Sequence, residues 1–263
     1  MKETTQTVGQ LLKGWRERRR KSQLDLALDA EISTRHLSFV ETGRARPSRE
    51  MILLLAENLE IPLRERNMIL IAAGFAPVYS EKSFDDVSFG AARQAVELIL
   101  KGHEPFPALA VDRRWNMIAA NKTVPLMLDG VAGELLAPPV NVLRLSLHPR
   151  GLAPRIVNLE EWRGHLLARL KKQVEETADF ELEALLNELN AYRPAARRGA
   201  RTSKTESAIV VPLKIRSPFG TLSFISTTTV FGTPVDVTIS EIALETFFPA
   251  DDATREVFNK IGT

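Results

Sequence analysis

The feature of this sequence that most constrains its fold is a pair of short predicted helices within residues 22–41. Ser22 and Ser33 are good N-cap residues, so each is expected to open one helix. The break between the two helices, at residues 30–32, is about three residues long. Ala27 is small where the two helices should cross. Such a compact pair lets its second helix project from the protein surface.

Three further helices are predicted around this pair. Thr7 and Gln10 have the spacing of a capping box at the start of the first helix. Ser48 is expected to cap a fourth helix, and Pro62 to open a fifth. The sequence therefore predicts an all-α domain of five helices in residues 1–76.

Basic side chains flank the helix pair in two clusters. The net charge of the chain is only +2, so their position is more informative than the total. Local clusters of this kind are the footprint expected for phosphate contact, although a solvated helix end and an exposed loop are the alternative interpretation. The clusters consist of Arg16, Arg18, Arg19, Arg20 and Lys21, and of Arg44, Arg46 and Arg49.

The exposed face of the second helix of the pair is the predicted DNA-reading surface. Arginine binds guanine O6 and N7 with two hydrogen bonds, and phenylalanine packs on the thymine methyl group. A five-helix bundle without a role in DNA binding is the alternative. The DNA-contacting candidates on this face and in the basic clusters are Ser33, Thr34, Arg35, Ser38, Phe39, Arg19, Arg44 and Arg46.

Residues 22–47, SQLDLALDAEISTRHLSFVETGRARP, resemble the Cro/Xre class of phage-repressor helix-turn-helix proteins. The resemblance implies that Gln23 donates a hydrogen bond to a DNA phosphate. It also implies that Thr34, Arg35 and Ser38 face base edges.

The same resemblance implies an ion pair between Arg16 of the first helix and Glu41 at the end of the third. One position departs from the family pattern, because the turn carries Glu31 where glycine is usual. If the backbone is left-handed there, a non-glycine residue costs about 1 kcal/mol.

Beyond residue 76 the composition changes. Residues 77–90 are mixed and polar and are predicted to be a linker, and residues 91–263 a second domain. Two strands, inserted helices and then further strands predict an antiparallel sheet with helices against one face, in the order of a PAS-like α/β domain. The fold class is thus α+β multidomain. The predicted strands are 107–111, 115–120, 208–216, 220–231 and 235–239, the predicted helices are 91–100, 121–128, 159–174 and 180–189, and residues 242–247 either extend a strand or begin a helix.

Three separated strings of this second half resemble the MmyB-like regulators. They are RWNMIAAN at residues 114–121, NVLRLSLHP at 141–149 and STTTVFGTPVDVTISEIALETFFPAD at 226–251. The resemblance implies a bacterial regulator with a repressor-type helix-turn-helix followed by a PAS-like ligand-binding domain. It also implies a fatty-acid-like or other small apolar ligand.

Within these strings, Trp115 and Asn116 offer an aromatic wall and an amide that both donates and accepts. Arg144 and His148 are four residues apart and would share one face of a helix, where they can hold a ligand carboxylate. The alternative is that Arg144 pairs with an acid of the domain, such as Asp236 or Asp251, while His148 caps the helix.

Four apolar side chains complete the ligand-binding candidates. Each of them can line a pocket or belong to an ordinary core. They are Leu143, Leu147, Phe224 and Phe231.

The sequence shows no sign of an enzyme. It has no cysteine, and its four histidines lack metal-ligand spacing, so we expect no metal site and no cofactor beyond a possible bound fatty acid. No nucleotide-binding or hydrolase motif is present. The polar N-terminus and the short apolar runs predict a cytoplasmic protein that does not enter a membrane.

Together these features predict a sequence-specific DNA-binding transcriptional regulator, a one-component sensor that binds a palindromic double-stranded operator as a homodimer. The alternative is a helix-turn-helix protein that acts through protein contacts without ligand sensing, as an antitoxin or scaffold does. A steep loss of affinity with salt would distinguish DNA binding from that alternative.

Overall fold

The computed structural model describes residues 6–192, 210–231 and 236–261 of the 263-residue chain. The described residues form two compact units, residues 6–83 with 236–240, and residues 84–192 and 210–231 with 241–261. In chain order the elements are α1 (Val8–Arg18), α2 (Gln23–Asp29), α3 (Thr34–Glu41), α4 (Arg49–Asn58), α5 (Leu63–Ala72), α6 (Gly90–Gly102), β1 (Ala108–Val111), β2 (Met117–Ala120), α7 (Val124–Met127), α8 (Val142–Leu147), α9 (Leu159–Thr177), α10 (Phe180–Ala191), β3 (Leu213–Ser217), β4 (Gly220–Val230), α11 (Val237–Ser240), β5 (Ala243–Pro249) and α12 (Asp252–Ile261).

Side-chain caps define the starts of four helices in the first unit. Thr7 and Ser22 each form a complete capping box, in which the N-cap side chain and the third helical residue bond reciprocally. The hydroxyl groups of Ser33 and Ser48 each accept a hydrogen bond from the third amide of their helices. The predicted five-helix domain is confirmed.

The turn between α2 and α3 has the backbone conformation that the family pattern implies. Glu31 has a φ of +52°, in the left-handed region that glycine adopts most easily. The next amide, of Ile32, donates to the carbonyl of Ala27 at 2.9 Å and closes the turn. The departure from glycine at this position therefore changes the residue and leaves the turn geometry intact.

A close helix crossing holds α1 against α3. A Cβ atom added at Gly9 would lie 2.3 Å from the carbonyl oxygen of Val40 and 2.7 Å from that of Glu41. Only glycine permits this approach, since both neighbouring atoms belong to the backbone. The core around the crossing is formed by Leu12, Trp15, Leu26, Leu37, Val40, Ile52, Leu55, Ile69 and Leu70.

The first unit continues past α5. The Asn67 side chain is buried, accepts hydrogen bonds from the amides of Val78 and Tyr79, and donates to the Tyr79 carbonyl at 2.8 Å. Residues 77–83 therefore belong to this unit, although they are the first part of the linker predicted for residues 77–90.

Residues 236–240 also belong to the first unit. The amide of Val237 donates to the Ser80 carbonyl at 2.9 Å, and the Thr238 hydroxyl donates to the Lys82 carbonyl. The strand predicted for residues 235–239 is wrong: Asp236 accepts from the amide of Thr238 and caps the short helix α11, while residue 235 lies outside the described residues. This segment was expected to be part of the second domain.

The second unit contains a five-stranded antiparallel sheet in the order β2-β1-β5-β4-β3. The predicted hairpin of β1 and β2 and the strand β4 are confirmed, and residues 242–247, left open by the sequence, contribute to β5. The strand predicted for residues 208–216 appears as β3, and residues 208–209 lie outside the described part. The predicted PAS-like α/β domain with an antiparallel sheet is confirmed.

Alternate residues of β1 face two different layers. Leu109 and Val111 belong to the large core with α9 and α10, whereas Ala108 and Ala110 pack with Val96 of α6. All of β1 is buried for this reason. The expectation of helices against one face is incomplete, because α6 covers the second face at this strand.

Candidate functional site

The helix α3 presents a mixed basic and aromatic surface. Its apolar side faces the core through Leu37 and Val40, which are fully buried. Arg35 is exposed, and its guanidinium carbon lies 5.4 Å from the ring centroid of Phe39. The guanidinium carbon of Arg44 lies 5.9 Å from the same centroid. Thr34, Ser38 and Phe39 are partly exposed beside them.

A buried network holds the start of α2 to the end of α3. Arg16 donates from Nε to Glu41 Oε1 at 2.7 Å and from Nη2 to Oε2 at 3.0 Å, as the family resemblance implies. This hydrogen-bonded carboxylate raises the pKa of Arg16 above its usual value. Gln23 donates from Nε2 to Glu41 Oε2 at 2.7 Å, so its amide is already oriented by the acid. The phosphate contact of Gln23 stays a prediction.

Three other DNA-contacting candidates occupy different environments. The Ser33 hydroxyl is engaged as the N-cap of α3. Arg19 donates to the carbonyls of Leu59 and Glu60, both at 2.9 Å, at the end of α4. Arg46 is exposed. Of the three, Arg46 is best placed to bind a phosphate because its side chain is exposed. The Arg19 guanidinium is already hydrogen-bonded to the end of α4.

The second unit contains a partly open apolar cavity of about 110 Å³, lined by residues of its sheet and helices. Among the described residues that line it, the polar or charged ones are Ser146, Arg169, Ser226 and Glu245. The others are apolar or aromatic, which is typical of small-molecule sites. They are Pro107, Leu109, Trp115, Met117, Val124, Met127, Leu128, Val142, Leu143, Leu145, Leu152, Trp162, Leu166, Leu213, Ile215, Phe224 and Phe247.

Three of the predicted ligand-binding residues line this cavity, namely Trp115, Leu143 and Phe224. The indole nitrogen of Trp115 donates to Gln173 Oε1 at 2.7 Å, which fixes the ring plane. Strand alternation directs Phe224 toward the same face of the sheet as Ser226. Ligand contact by these residues stays a prediction.

The predicted carboxylate-binding pair is occupied by a carboxylate of the protein itself. Arg144 donates from Nε and Nη2 to Glu188, at 2.8 and 2.7 Å, and the Tyr192 hydroxyl donates to the same acid. The pKa of Glu188 is lowered, above all by the hydrogen bond from Arg144, and burial raises the pKa of Tyr192 to about 12. His148 is the C-cap of α8 and packs edge-on against the Tyr192 ring.

Neither Arg144 nor His148 lines the cavity, and Arg144 pairs with an acid of the domain, as the alternative interpretation expected. Ligand contact by these two residues stays a prediction. The acids suggested as alternative partners of Arg144 have other roles, since Asp236 caps α11 and Asp251 accepts from the amide of Thr254.

The three remaining candidates are also not among the residues that line the cavity. Asn116 donates to Asp112 Oδ2 at 2.9 Å within the hairpin turn. Leu147 is buried in the large core, and Phe231 packs beside the smaller core of α6. Each of these side chains has a place in the fold, and ligand contact by them stays a prediction.

Sequence reasoning missed the charged pair of the cavity wall. Arg169 donates to Glu245 from Nη2 at 2.6 Å and from Nη1 at 3.2 Å. A signal was present on both elements. Arg169 continues the apolar stripe of Trp162 and Leu166 on α9, and Glu245 interrupts an apolar run on β5.

Across residues 6–192, 210–231 and 236–261, no group of three or more histidine or acidic side chains is arranged to hold a metal ion. No helix in these ranges combines the length and the apolar character needed to cross a bilayer.

The fold and the two sites define a class, a DNA-binding transcriptional regulator that carries a ligand-binding domain. Residues 12–66 match the family model described as helix-turn-helix, and residues 92–260 match the model described as MmyB-like transcription regulator ligand binding domain. The chain belongs to this MmyB-like family, whose model matches more than half of its length. Comparison with curated proteins found no match.

Proposed function

We propose that the protein is a one-component sensor in which a small apolar ligand, fatty-acid-like in its body, changes the affinity of the helix-turn-helix for a specific DNA operator. The observation that carries this proposal is the apolar cavity of about 110 Å³ inside the ligand-binding unit. A concave apolar space with a few polar groups on its wall is the usual form of a small-molecule site.

Chain connectivity supports a coupling between ligand and DNA. The strands β4 and β5 contribute Phe224, Ser226, Glu245 and Phe247 to the cavity wall. The segment that joins these two strands contains residues 236–240, which belong to the compact unit of the helix-turn-helix. A ligand that shifts β4 against β5 would therefore move the ends of this segment and affect the unit that contains it. If the ligand favours one arrangement of that unit, its binding changes the affinity for DNA, which is what allostery requires.

On the DNA side, the proposal assigns base contacts to the exposed surface of α3. Arg35 is the main candidate for a guanine contact, with the Phe39 ring packed against its guanidinium. Arg44, which also packs on Phe39, and Arg46 are assigned to DNA phosphates. In this proposal a homodimer places two copies of α3 in successive major grooves, about 34 Å apart, on a palindromic operator.

Two measurements test the DNA half. Selection from a random duplex library by the full-length protein should yield a palindromic sequence with two half-sites. The logarithm of its affinity should fall linearly with the logarithm of salt concentration. Failure to enrich any sequence, together with an affinity for DNA that salt does not alter, would favour a helix-turn-helix that acts through protein contacts.

The ligand half is tested by native mass spectrometry of the purified protein and by thermal shift. The shift series contains straight-chain carboxylic acids and the matching uncharged amides. Recovery of an apolar species, or a rise in melting temperature with either class, supports the proposal. If no bound species is recovered and neither class shifts the melting temperature, the ligand-sensing function is wrong.

A further inference from the structure

The polar part of the cavity wall is a complete ion pair. Both terminal nitrogens of Arg169 donate to Glu245, and Nη2 also donates to the hydroxyl of Thr228 at 2.6 Å. Thr228 in turn donates to Glu245 Oε1 at 2.9 Å. The guanidinium carbon lies 4.5 Å from the ring centroid of Trp115, which supports it from the other side. The pair is therefore neutral as a whole and held in one geometry.

The acid of this pair is the more deeply placed partner. The Glu245 side chain is 7% exposed, whereas that of Arg169 is 27% exposed. A ligand carboxylate bound at Arg169 would lie next to Glu245 and leave two negative charges around one guanidinium. A ligand ammonium bound at Glu245 would lie next to the guanidinium and place two positive charges around one carboxylate. Like charges in a desolvated site repel strongly, so either ion is disfavoured.

An uncharged polar group avoids both penalties. The carbonyl oxygen of a primary amide can accept from Arg169 while its NH2 group donates to Glu245. The opposite charges of Arg169 and Glu245 then remain matched, and both residues gain hydrogen bonds to the ligand.

Cavity volume limits the part of the ligand that the protein can cover. An enclosed apolar cavity of roughly 150 Å³ holds a molecule the size of benzene. The partly open cavity of about 110 Å³ therefore covers a body of only a few carbon atoms, and the remainder of a longer chain would extend through its open side.

From these observations we infer that the cavity selects a ligand with an uncharged polar group at the Arg169–Glu245 pair. This group both donates and accepts hydrogen bonds, and a primary amide matches it best. The inference rests on the proposed ligand-binding function and sharpens it, because it retains the apolar body and replaces the ionised carboxylate of a fatty acid.

The first test compares butanamide, butanoate and butylammonium by isothermal titration against the full-length protein near pH 7.5. The three probes share a short alkyl chain and differ in head-group charge. We expect butanamide to bind at least tenfold more tightly than either ion. Butanoate or butylammonium binding as tightly as butanamide would overturn the selectivity and leave ligand binding itself standing. Failure of all three, and of longer amides and acids, would remove the proposed ligand-binding function.

Removing one charge at a time should reverse the ranking. Glu245→Gln leaves the Arg169 charge without its acid, so butanoate should become the tightest of the three probes. Arg169→Gln leaves Glu245 alone and should favour butylammonium, which provides a second test if the first variant does not fold. An unchanged ranking in either folded variant would contradict the inference.

A matched control exists in the same unit. In the pair Arg144–Glu188 two arginine nitrogens also donate to one carboxylate, and neither residue lines the cavity. Glu188→Gln should leave the ranking of the three probes as in the unmodified protein. A reversal in this variant would show that overall charge, and not the cavity wall, sets the preference.

Discussion

Each of the two units of this protein contains an arginine–glutamate pair in which two guanidinium nitrogens donate to one carboxylate. In the helix-turn-helix, Arg16 and Glu41 are 9% and 1% exposed and lie within a closed core. In the ligand-binding unit, Arg169 is 27% exposed and borders a cavity together with Glu245. The first pair has every neighbour supplied by the fold, whereas the second faces space that a ligand can fill. We propose that the same chemistry is structural in one unit and selects a ligand in the other.

The largest effect is expected from breaking the closed pair. Glu41→Ala leaves the Arg16 charge buried without its acid and should lower the free energy of unfolding of the first unit by about 3–5 kcal/mol. The change is measured by urea unfolding, with hydrogen exchange in peptides of α1–α5 as the readout for the first unit.

The control for that prediction is Glu188→Ala, which removes the acid of a pair whose side chains are 41% and 36% exposed. Its effect on stability should stay below about 1 kcal/mol. Equal losses in the two variants would contradict the distinction between a closed and an exposed pair.

The close crossing next to the closed pair gives the next prediction. Gly9→Ala forces a methyl group against the backbone of α3 and should destabilise the first unit by about 1–3 kcal/mol or more. Gly14→Ala is the control, since no atom lies within 4 Å of the added Cβ and the residue is exposed on the same helix. That change should stabilise the helix by up to about 1 kcal/mol. Thermal unfolding of both variants tests whether the crossing is as tight as described.

On the DNA-reading surface, Arg35→Ala should weaken binding to the selected operator by about 1–3 kcal/mol and relax base preference at one position in each half-site. Arg46→Ala should weaken binding to all sequences alike and reduce the salt dependence by about one ion. Titrations at several salt concentrations, with operator and with random duplex, compare the two. Retention of both affinity and preference in Arg35→Ala would refute the placement of the reading face.

The smallest effect is expected at the turn. Glu31→Gly relieves a left-handed backbone at a non-glycine residue and should raise the stability of the first unit by up to about 1 kcal/mol. Operator affinity should not change, because the turn geometry is already the one required. A loss of stability on this substitution would mean that the Glu31 side chain makes a contribution larger than the strain.

The sequence predicted the first unit more completely than the second for a physical reason. Caps such as Ser22 and Ser33 and the pairing of Arg16 with Glu41 belong to a compact motif with fixed spacing. The cavity, by contrast, depends on which residues of α9 and β5 meet across the fold. Sequence spacing predicted that Arg144 binds the carboxylate of a ligand. It did not reveal that Glu188 of the same unit provides this carboxylate.

Predictions also failed where a local bond outweighed residue preference. Residues 235–239 are rich in β-branched side chains and were assigned to a strand, but Asp236 caps a short helix there. The PAS-like sheet was nevertheless predicted correctly, because residues 242–247 supply the missing strand as part of β5.

The central claim is that occupancy of the cavity changes operator affinity. The most direct test titrates the selected operator at fixed salt, with and without a saturating concentration of the tightest-binding amide or acid. The unmodified protein should change its Kd by about fivefold or more, as a coupling of at least 1 kcal/mol requires. Leu166→Trp, which fills the cavity from α9, should bind the operator but not respond to the ligand. An operator Kd that stays the same while titration shows the cavity to be saturated would contradict the account.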